Sequence, residues 1–368
     1  MASVTKTRTS SGETRYRVRY RDPEGQSREK WLRTKAKAEK YARNVETDID
    51  RGDYIDPQAG RITLGEWIAQ HEATKTHRRP STAARDESLI RNHVLPAFAH
   101  RQIKTITPIE VRSWVADLSA EGLAADTTRK AHQLLAGALE AAADDGLIPR
   151  NPARRVDLPR VERQEMRFLS PTEIGHLATT IDPRYRALVV TAAYSGCRFG
   201  ELAALRVDRL DMLRRTLRVE ETLSEVKGKI IVGPPKTRAA VRSITLPKIV
   251  IDELAQHLAA YPPGPDRLVF TGSSGGPVRS INFRSRVWAP AVRASVGQPL
   301  RFHDLRHSHA ALLVAARQHP KVIQERLGHS SIKTTLDVYG HLFEGLDRQA
   351  ADALDGLAEN PAVGLSWG

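Results

Sequence analysis

Among its 368 residues the chain has one cysteine, Cys197. That excludes a disulfide within the chain and a zinc site built on cysteines, and it fits a reducing compartment. The N-terminal residues lack the apolar core of a secretory signal. No apolar run approaches a membrane span; the longest, such as residues 187–194, have the size of a buried helix. The sequence has no glycine-rich loop ending in Lys-Ser or Lys-Thr, the usual cradle for nucleotide phosphates. It also has no internal repeat and no low-complexity tract. Acidic residues are in short supply. There are 43 Asp and Glu against 57 Lys and Arg, a net charge of +14, and the sequence pI is ≈ 10.0. The expectation is a cytoplasmic protein with no membrane partner and a polyanionic one, nucleic acid by default.

The remaining composition, 40% apolar and 27% charged, is ordinary for a globular protein of two or three domains. The positive charge is clustered. Residues 1–45 hold 13 Lys and Arg against 5 Asp and Glu. Within them, residues 15–21 alternate strictly. Tyr16, Val18 and Tyr20 form one face of a strand; Arg15, Arg17, Arg19 and Arg21 form the other. A turn at 22–25 leads to a second strand, 28–32. Thr34 reads as the N-cap of a helix with an apolar stripe at 38, 41, 42, 45 and 49. Four arginines on one strand face repel each other unless an anion compensates, which marks this face for DNA.

Residues 52–60 form a linker, and 63–152 read as helices. Trp67 and Ile68 begin the first and residues 89–95 carry the second. Pro108, capped by Thr107, opens the third, and Thr127 opens the fourth. Beyond a charged connector at 163–166, helices flank a β-rich middle at 216–219, 230–232 and 242–246. Helices return at 247–260 and 281–294, and everything from Phe302 onward reads helical. The fold class is multidomain α+β: a small sheet plus helix, an all-helical domain, and a mixed, mainly helical domain with a small antiparallel sheet.

Chemistry-bearing residues gather between 303 and 339. In His303-Asp304-Leu305-Arg306-His307, His303 and Arg306 share a helix face near the helix start. A helix N-terminus flanked by Arg and His makes a phosphate pocket. Pro320 opens the next helix, Gly328 stops it, and His329 sits on the turn that follows. Thr334 and Thr335 then lead a short helix carrying Tyr339. Three readings fit. Residues 321–327 and 332–340 have the lengths of a helix-turn-helix. His303 and His307 are spaced like a zincin motif with Asp304 replacing its glutamate, as in a metalloprotease. Alternatively, Tyr339 is a nucleophile at a phosphoryl-transfer site. Upstream segments bear on the third reading. Arg198 follows a helix end at Ser195-Gly196, with Glu201 placed to orient it, and two guanidinium forks hold both non-bridging oxygens of a phosphorane. Lys236 lies in a turn between two strands, where an ammonium reaches into a cleft as a proton donor.

Taken together, these residues resemble the tyrosine recombinase family, and more narrowly the integrases of phages and integrative elements. The resemblance rests on Arg198, Lys236, His303, Arg306, His329 and Tyr339, in family order. It rests also on their surroundings: Ser195-Gly-Cys-Arg-Phe-Gly-Glu-Leu, Pro235-Lys-Thr-Arg, His303-Asp-Leu-Arg-His, Leu327-Gly-His-Ser-Ser and Val338-Tyr-Gly-His. Ser195, where relatives often have Thr, is a mild departure. The resemblance implies an arm-type-site DNA-binding domain at 1–58 and a helical core-binding domain at 62–155. It further implies a catalytic domain at 165–345 and a tail at 346–368, whose apolar stripe at 346, 350, 353, 354 and 357 either caps its own domain or, the favoured reading, packs on a neighbouring protomer.

By the same resemblance, Tyr339 attacks the scissile phosphate to form a 3′-phosphotyrosyl link, with His303 as base or relay. Lys236 protonates the leaving 5′-oxygen, Arg198 and Arg306 clamp the phosphate, His329 donates to it, and Glu201 orients Arg198. Arg15, Arg17, Arg19 and Arg21 contact arm sites. No metal, ATP or other cofactor is implied, because the arginines supply the charge stabilisation. The partners implied are attachment-site DNA, three further copies of the chain on a Holliday junction, a host DNA-bending protein and an excisionase. Cys197 reads as a small buried hydrophobe, and His307 and His309 as supporting residues. Rival readings are a chromosome-dimer resolvase, which the basic N-terminal unit argues against, and a non-catalytic DNA-binding regulator.

Overall fold

The computed structural model describes residues 2–8, 13–52, 54–56, 58–162, 166–343, 351–352 and 354–355. The chain divides into two compact units, Met1–Arg163 and Gln164–Gly368.

The first unit begins with an antiparallel sheet in the order β1 (Ser3–Arg8), β2 (Thr14–Arg21), β3 (Ser27–Leu32). Helix α1 (Lys35–Arg51) follows, with the Thr34 side chain accepting from the Lys37 amide as its N-cap. The alternation in β2 holds. Val18 and Tyr20 are buried with Ala38, Ala42 and Val45 of α1, while Arg19 and Arg21 are exposed. Strand β1 is absent from the sequence reading. Val4 is its one large apolar residue, so periodicity alone does not mark it; pairing with β2, which sets Val4 opposite Val18, makes it a strand.

Five helices complete this unit: α2 (Leu64–Ala73), α3 (Pro80–Leu89), α4 (Leu95–Phe98), α5 (Pro108–Ala120) and α6 (Ala125–Asp144). Thr63 with Glu66, and Thr107 with Glu110, form reciprocal capping boxes at the starts of α2 and α5. Trp67, Ile90, Val94, Phe98, Val111, Trp114, Leu135 and Leu139 build the core. The last helix starts at Ala125 and not at Thr127. Gly122, at φ +82°, ends the preceding helix, and the alanines that follow re-enter helix without a side-chain cap.

The second unit is built around α8 (Pro183–Ser195), buried on every side from Ala187 to Ala193. Helix α7 (Pro171–Thr180) precedes it and the short α9 (Phe199–Ala203) follows. Strands β4 (Leu210–Asp211), β5 (Thr216–Val219) and β8 (Arg242–Thr245) form one antiparallel sheet, and β6 (Thr222–Val226) with β7 (Lys229–Gly233) a hairpin. The sequence reading lacks β4 and β6. Helices α10 (Lys248–Ala260), α11 (Ser280–Phe283) and α12 (Ala289–Ser295) lead to α13 (Asp304–Ala315), α14 (Pro320–Leu327) and α15 (Ile332–Tyr339). Helix α15 starts at Ile332, with Ser331 as its cap accepting from the Lys333 amide. Thr334 and Thr335 therefore lie inside it.

Two helical runs contain a π turn, Ile90–Val94 between α3 and α4 and Arg284–Trp288 between α11 and α12. Each stands just before a proline, Pro96 and Pro290. Proline brings no amide and crowds the carbonyl four residues back, so the backbone shifts to longer pairing there. The Leu95 amide bonds the Ile90 carbonyl, and the Ala289 amide bonds the Arg284 carbonyl.

Among the described residues, no helix is long and apolar enough to cross a membrane. The tail carries apolar residues at helical spacing, at 346, 350, 353, 354 and 357; these lie outside the described residues, apart from Leu354, which is helical and exposed.

Candidate active site

The buried helix α8 ends where the site begins. Gly196 adopts φ +70° and stops the helix; a Cβ there would lie 2.6 Å from the His309 ring and 2.8 Å from Leu327. Only glycine fits both the conformation and the space. The chain then turns into α9, with Arg198 at its N-cap. Glu201 accepts from the Arg198 amide at 2.9 Å and from Arg198 Nη1 at 2.8 Å, so it holds both ends of that residue. The Arg198 side chain stays 41% exposed while that of Glu201 is 2% exposed, so the guanidinium is steered from below.

Arg306 lies on the first turn of α13 and is 2% exposed. Its Nη1 donates to the Gly196 carbonyl at 2.6 Å and its Nη2 to the Leu327 carbonyl at 2.5 Å. It therefore ties the ends of α8 and α14 together. Burial first, and then the Arg198 charge, push its pKa down to about 9. Two guanidinium groups close enough to weaken each other form a site that an anion relieves.

His329 follows Gly328, which ends α14 at φ 67° as the sequence predicts. Its Nδ1 shares a hydrogen bond of 2.9 Å with Thr335 Oγ1, which is fully buried. Burial, with Arg306 and Arg198, lowers His329 to about 4. His303 is the N-cap of α13. Its residue surface is exposed, yet its ring meets the His307 ring edge to face, and desolvation followed by the His307, Arg306 and Arg198 charges lowers it to about 4. Tyr339, at the end of α15, is 1% exposed. Burial pushes its phenol up to about 12, while Arg306 and Arg198 pull against that rise. Its hydroxyl shares a hydrogen bond of 2.8 Å with His307 Nδ1. The sequence reading gives His307 only a supporting place, yet it is the side chain that touches the tyrosine oxygen.

Arg198, His303, Arg306, His329 and Tyr339 thus share one electrostatic neighbourhood. Lys236 stands apart from it: it is exposed in the loop between β7 and β8, after the buried Pro235, and bonds none of the other five. Cys197 is buried, and burial raises its thiol above the ordinary value. The zinc arrangement does not form. His303 and His307 rings meet edge to face, His307 Nδ1 is engaged by Tyr339, and Asp304 binds the Arg301 amide and guanidinium. Among the described residues no three His, Cys, Asp or Glu converge as metal ligands.

Sequence reasoning misses Arg242 and Arg326. Arg242 in β8 donates to both Glu201 oxygens, at 3.0 and 3.3 Å, and to the Arg326 carbonyl at 2.7 Å. A signal for it exists: Arg242, Ile244 and Leu246 share one face of the strand, so the arginine points into the core with two aliphatics. Arg326 Nε donates to His309 Nε2 at 3.3 Å, and the His309 Nδ1 contacts the Ala193 carbonyl at 3.2 Å.

In the N-terminal sheet, Arg15 pairs with Glu13, Arg17 stacks over Trp31 at 5.6 Å, and Arg21 donates to the Gly25 carbonyl. Arg19 stands opposite Glu29 in the register. Trp31, 40% exposed on this arginine face, is a further residue the sequence reading leaves out.

Comparison with known proteins agrees with this geometry. Residues 167–345 match the phage integrase family, and residues 63–119 match the phage integrase N-terminal SAM-like domain. The prophage phiRv2 integrase of Mycobacterium tuberculosis is 30% identical over 373 residues, covering 94% of each chain. The ICEBs1 integrase of Bacillus subtilis is 28% identical over 76% of this chain and 78% of its own. Among solved structures, the Tn1549 transposon integrase in complex with a circular intermediate DNA superposes with a TM-score of 0.71 at 21% identity, over 80% of this chain and 99% of that one. A lambda integrase dimer bound to a core site gives 0.61 at 19% identity, over 90% and 93%. The structural likenesses establish the fold, the sequence relatives the lineage: this chain belongs to the phage integrase family of tyrosine recombinases.

Proposed function

We propose that this protein is a site-specific DNA integrase that cuts and rejoins attachment-site DNA through a 3′-phosphotyrosyl intermediate and a Holliday junction. One observation carries the reading: the buried Tyr339 hydroxyl bonds His307 at 2.8 Å, next to Arg306, whose guanidinium is fixed on the Gly196 carbonyl two residues before Arg198. Two guanidinium groups and one phenol around a common point are what an in-line attack on a phosphodiester requires.

Arg198, steered by Glu201, and Arg306, fixed by two carbonyls, receive the non-bridging oxygens and stabilise the charge that builds on them. His329 is neutral at physiological pH, with its pKa near 4. In the tautomer that accepts from Thr335 at Nδ1, the one N–H of the ring lies on Nε2 and serves the phosphate. His303, at the helix start, lines the same pocket. Lys236 protonates the departing 5′-oxygen from a loop that reaches the site when DNA is bound. The covalent link retains the bond energy, so strand exchange and religation proceed without ATP.

In this reading residues 1–58 bind arm-type sites through Arg15, Arg17, Arg19 and Arg21. Residues 62–155 and 165–345 clamp the core site, and the tail at 346–368 packs on a neighbouring protomer of a tetramer. A host DNA-bending protein brings arm to core, and an excisionase sets direction. The work takes place in the bacterial cytoplasm, on the nucleoid. The test is recombination between two labelled DNAs, each with an attachment site, in a host-cell extract. Exchanged products and a Holliday junction intermediate are expected; DNA binding without any exchanged strand contradicts the reading.

A further inference from the structure

An attacking tyrosine must lose its proton, and a phenol pushed up to about 12 does not lose it unaided. The resemblance assigns the acceptor role to His303. The geometry does not place His303 there. Among the described residues, the Tyr339 hydroxyl bonds one side chain, Nδ1 of His307, at 2.8 Å, with ring centroids 5.8 Å apart. His303 is one turn nearer the start of α13, and its ring meets the edge of the His307 ring at 5.0 Å. We infer that His307, and not His303, is the general base that takes the Tyr339 proton. The inference rests on the reading of Tyr339 as nucleophile.

The protonation states agree. Desolvation, with the Arg301 and Arg306 charges, lowers His307 below its ordinary value, against an opposing pull from Asp304. The ring is therefore neutral at physiological pH. With its proton on Nε2, Nδ1 presents the lone pair that the phenol O–H donates to. In the forward step the Tyr339 proton passes to Nδ1 as the phenol oxygen bonds the phosphorus. The bond from phosphorus to the 5′-oxygen breaks, and that oxygen takes its proton from Lys236. On religation the 5′-hydroxyl attacks, its proton returns to Lys236, and His307 gives its proton back to the leaving Tyr339 oxygen. The DNA phosphate between Arg198 and Arg306 adds the negative charge that stabilises an imidazolium beside it. His303 then acts on the phosphate or on the His307 ring, and the first contact of the nucleophile is His307.

A buried tyrosine hydroxyl ordinarily finds some hydrogen-bond partner, so the test must separate a base from a mere partner. Asparagine does this, because its amide oxygen accepts a hydrogen bond near the Nδ1 position and does not take a proton at neutral pH. The substrate is a core site with sulfur in place of the bridging 5′-oxygen at the scissile phosphate. A thiolate leaves without a proton donor, so this substrate bypasses Lys236 and still needs the base.

With the ordinary substrate, His307→Asn and Lys236→Ala should each slow covalent adduct formation, by about 100-fold or more. With the sulfur substrate, Lys236→Ala should return to within a few-fold of wild type and His307→Asn should stay slow. His307→Gln, a second variant with the same expectation, guards against a local misfit of asparagine. Core-site binding and Tm, measured alongside, show that each variant is folded. Adduct formation by either folded variant at wild-type rate overturns the inference, as does rescue of both by sulfur. A His303→Asn protein that is the slower on the sulfur substrate returns the role to His303. If Tyr339→Phe itself forms an adduct, the underlying reading has failed, and that outcome is distinct from all of these.

Discussion

Arg242 and Glu201 are joined by two hydrogen bonds, at 3.0 and 3.3 Å, with side chains only 7% and 2% exposed. The same carboxylate holds Arg198, and the same guanidinium holds the carbonyl of Arg326, two residues before Gly328. One buried ion pair therefore connects the two halves of the site, which lie far apart in sequence. Breaking such a pair leaves an uncompensated buried charge, with a loss of about 3 kcal/mol or more. Arg242→Met should lower stability by that order and slow adduct formation further than its loss of folded protein explains, because the Glu201 carboxylate that steers Arg198 is no longer fixed from its buried side. Denaturation and single-turnover cleavage on the folded fraction measure the two effects. A Arg242→Met protein with unchanged stability contradicts the account.

Acid should destabilise the catalytic unit through its buried histidines. Desolvation, then Arg326, lowers His309 from 6.5 to about 3, and His303 and His329 fall to about 4. Between these values and 6.5 the unfolded chain binds more protons than the folded one. Stability therefore rises with pH across that window. The contribution is complete above pH 6.5 and is lost as pH falls toward 3 to 4. His309→Gln removes the most strongly shifted group, so its Tm should fall less steeply between pH 6.5 and 4. Parallel Tm curves for variant and wild type would show that His309 does not carry this dependence.

The arginine face of β2 should act on arm sites alone. Replacing Arg17 and Arg19 with Ala removes two cations that, in the proposed reading, contact phosphate. The slope of log affinity against log salt should flatten by about 1.8, at ~0.9 per phosphate contact. Fluorescence anisotropy on arm-site and core-site duplexes measures this. Core cleavage should be kept; its loss with arm binding intact would refute the division of labour between the two DNA sites.

Much of the site is legible in the sequence because its residues sit at helix boundaries, which leave local signals. Gly196 and Gly328 stop helices, Asp304 and Pro320 start them, and Arg198, Arg306 and His329 stand beside those marks. Tyr339 and Lys236 carry no such signal and are identified through the family resemblance. The contacts between distant segments are not legible. Arg242 looks like one more cation on a short strand, and its role appears only when β8 packs beside α14. The bond between His307 and Tyr339 depends on how α13 meets α15. The fold shows the same division. Capped helices and the alternating β2 follow from local chemistry, whereas β1 exists because Val4 finds Val18 across the sheet.

The central claim is that Tyr339 becomes covalently joined to DNA. The measurement is mass spectrometry of the adduct trapped on a nicked core-site duplex in EDTA, after digestion to peptides. A phosphotyrosyl nucleotide on the peptide containing Tyr339, and no adduct from Tyr339→Phe, is the predicted result. An adduct that persists in Tyr339→Phe, maps to another residue, or forms only when metal is restored would contradict the account.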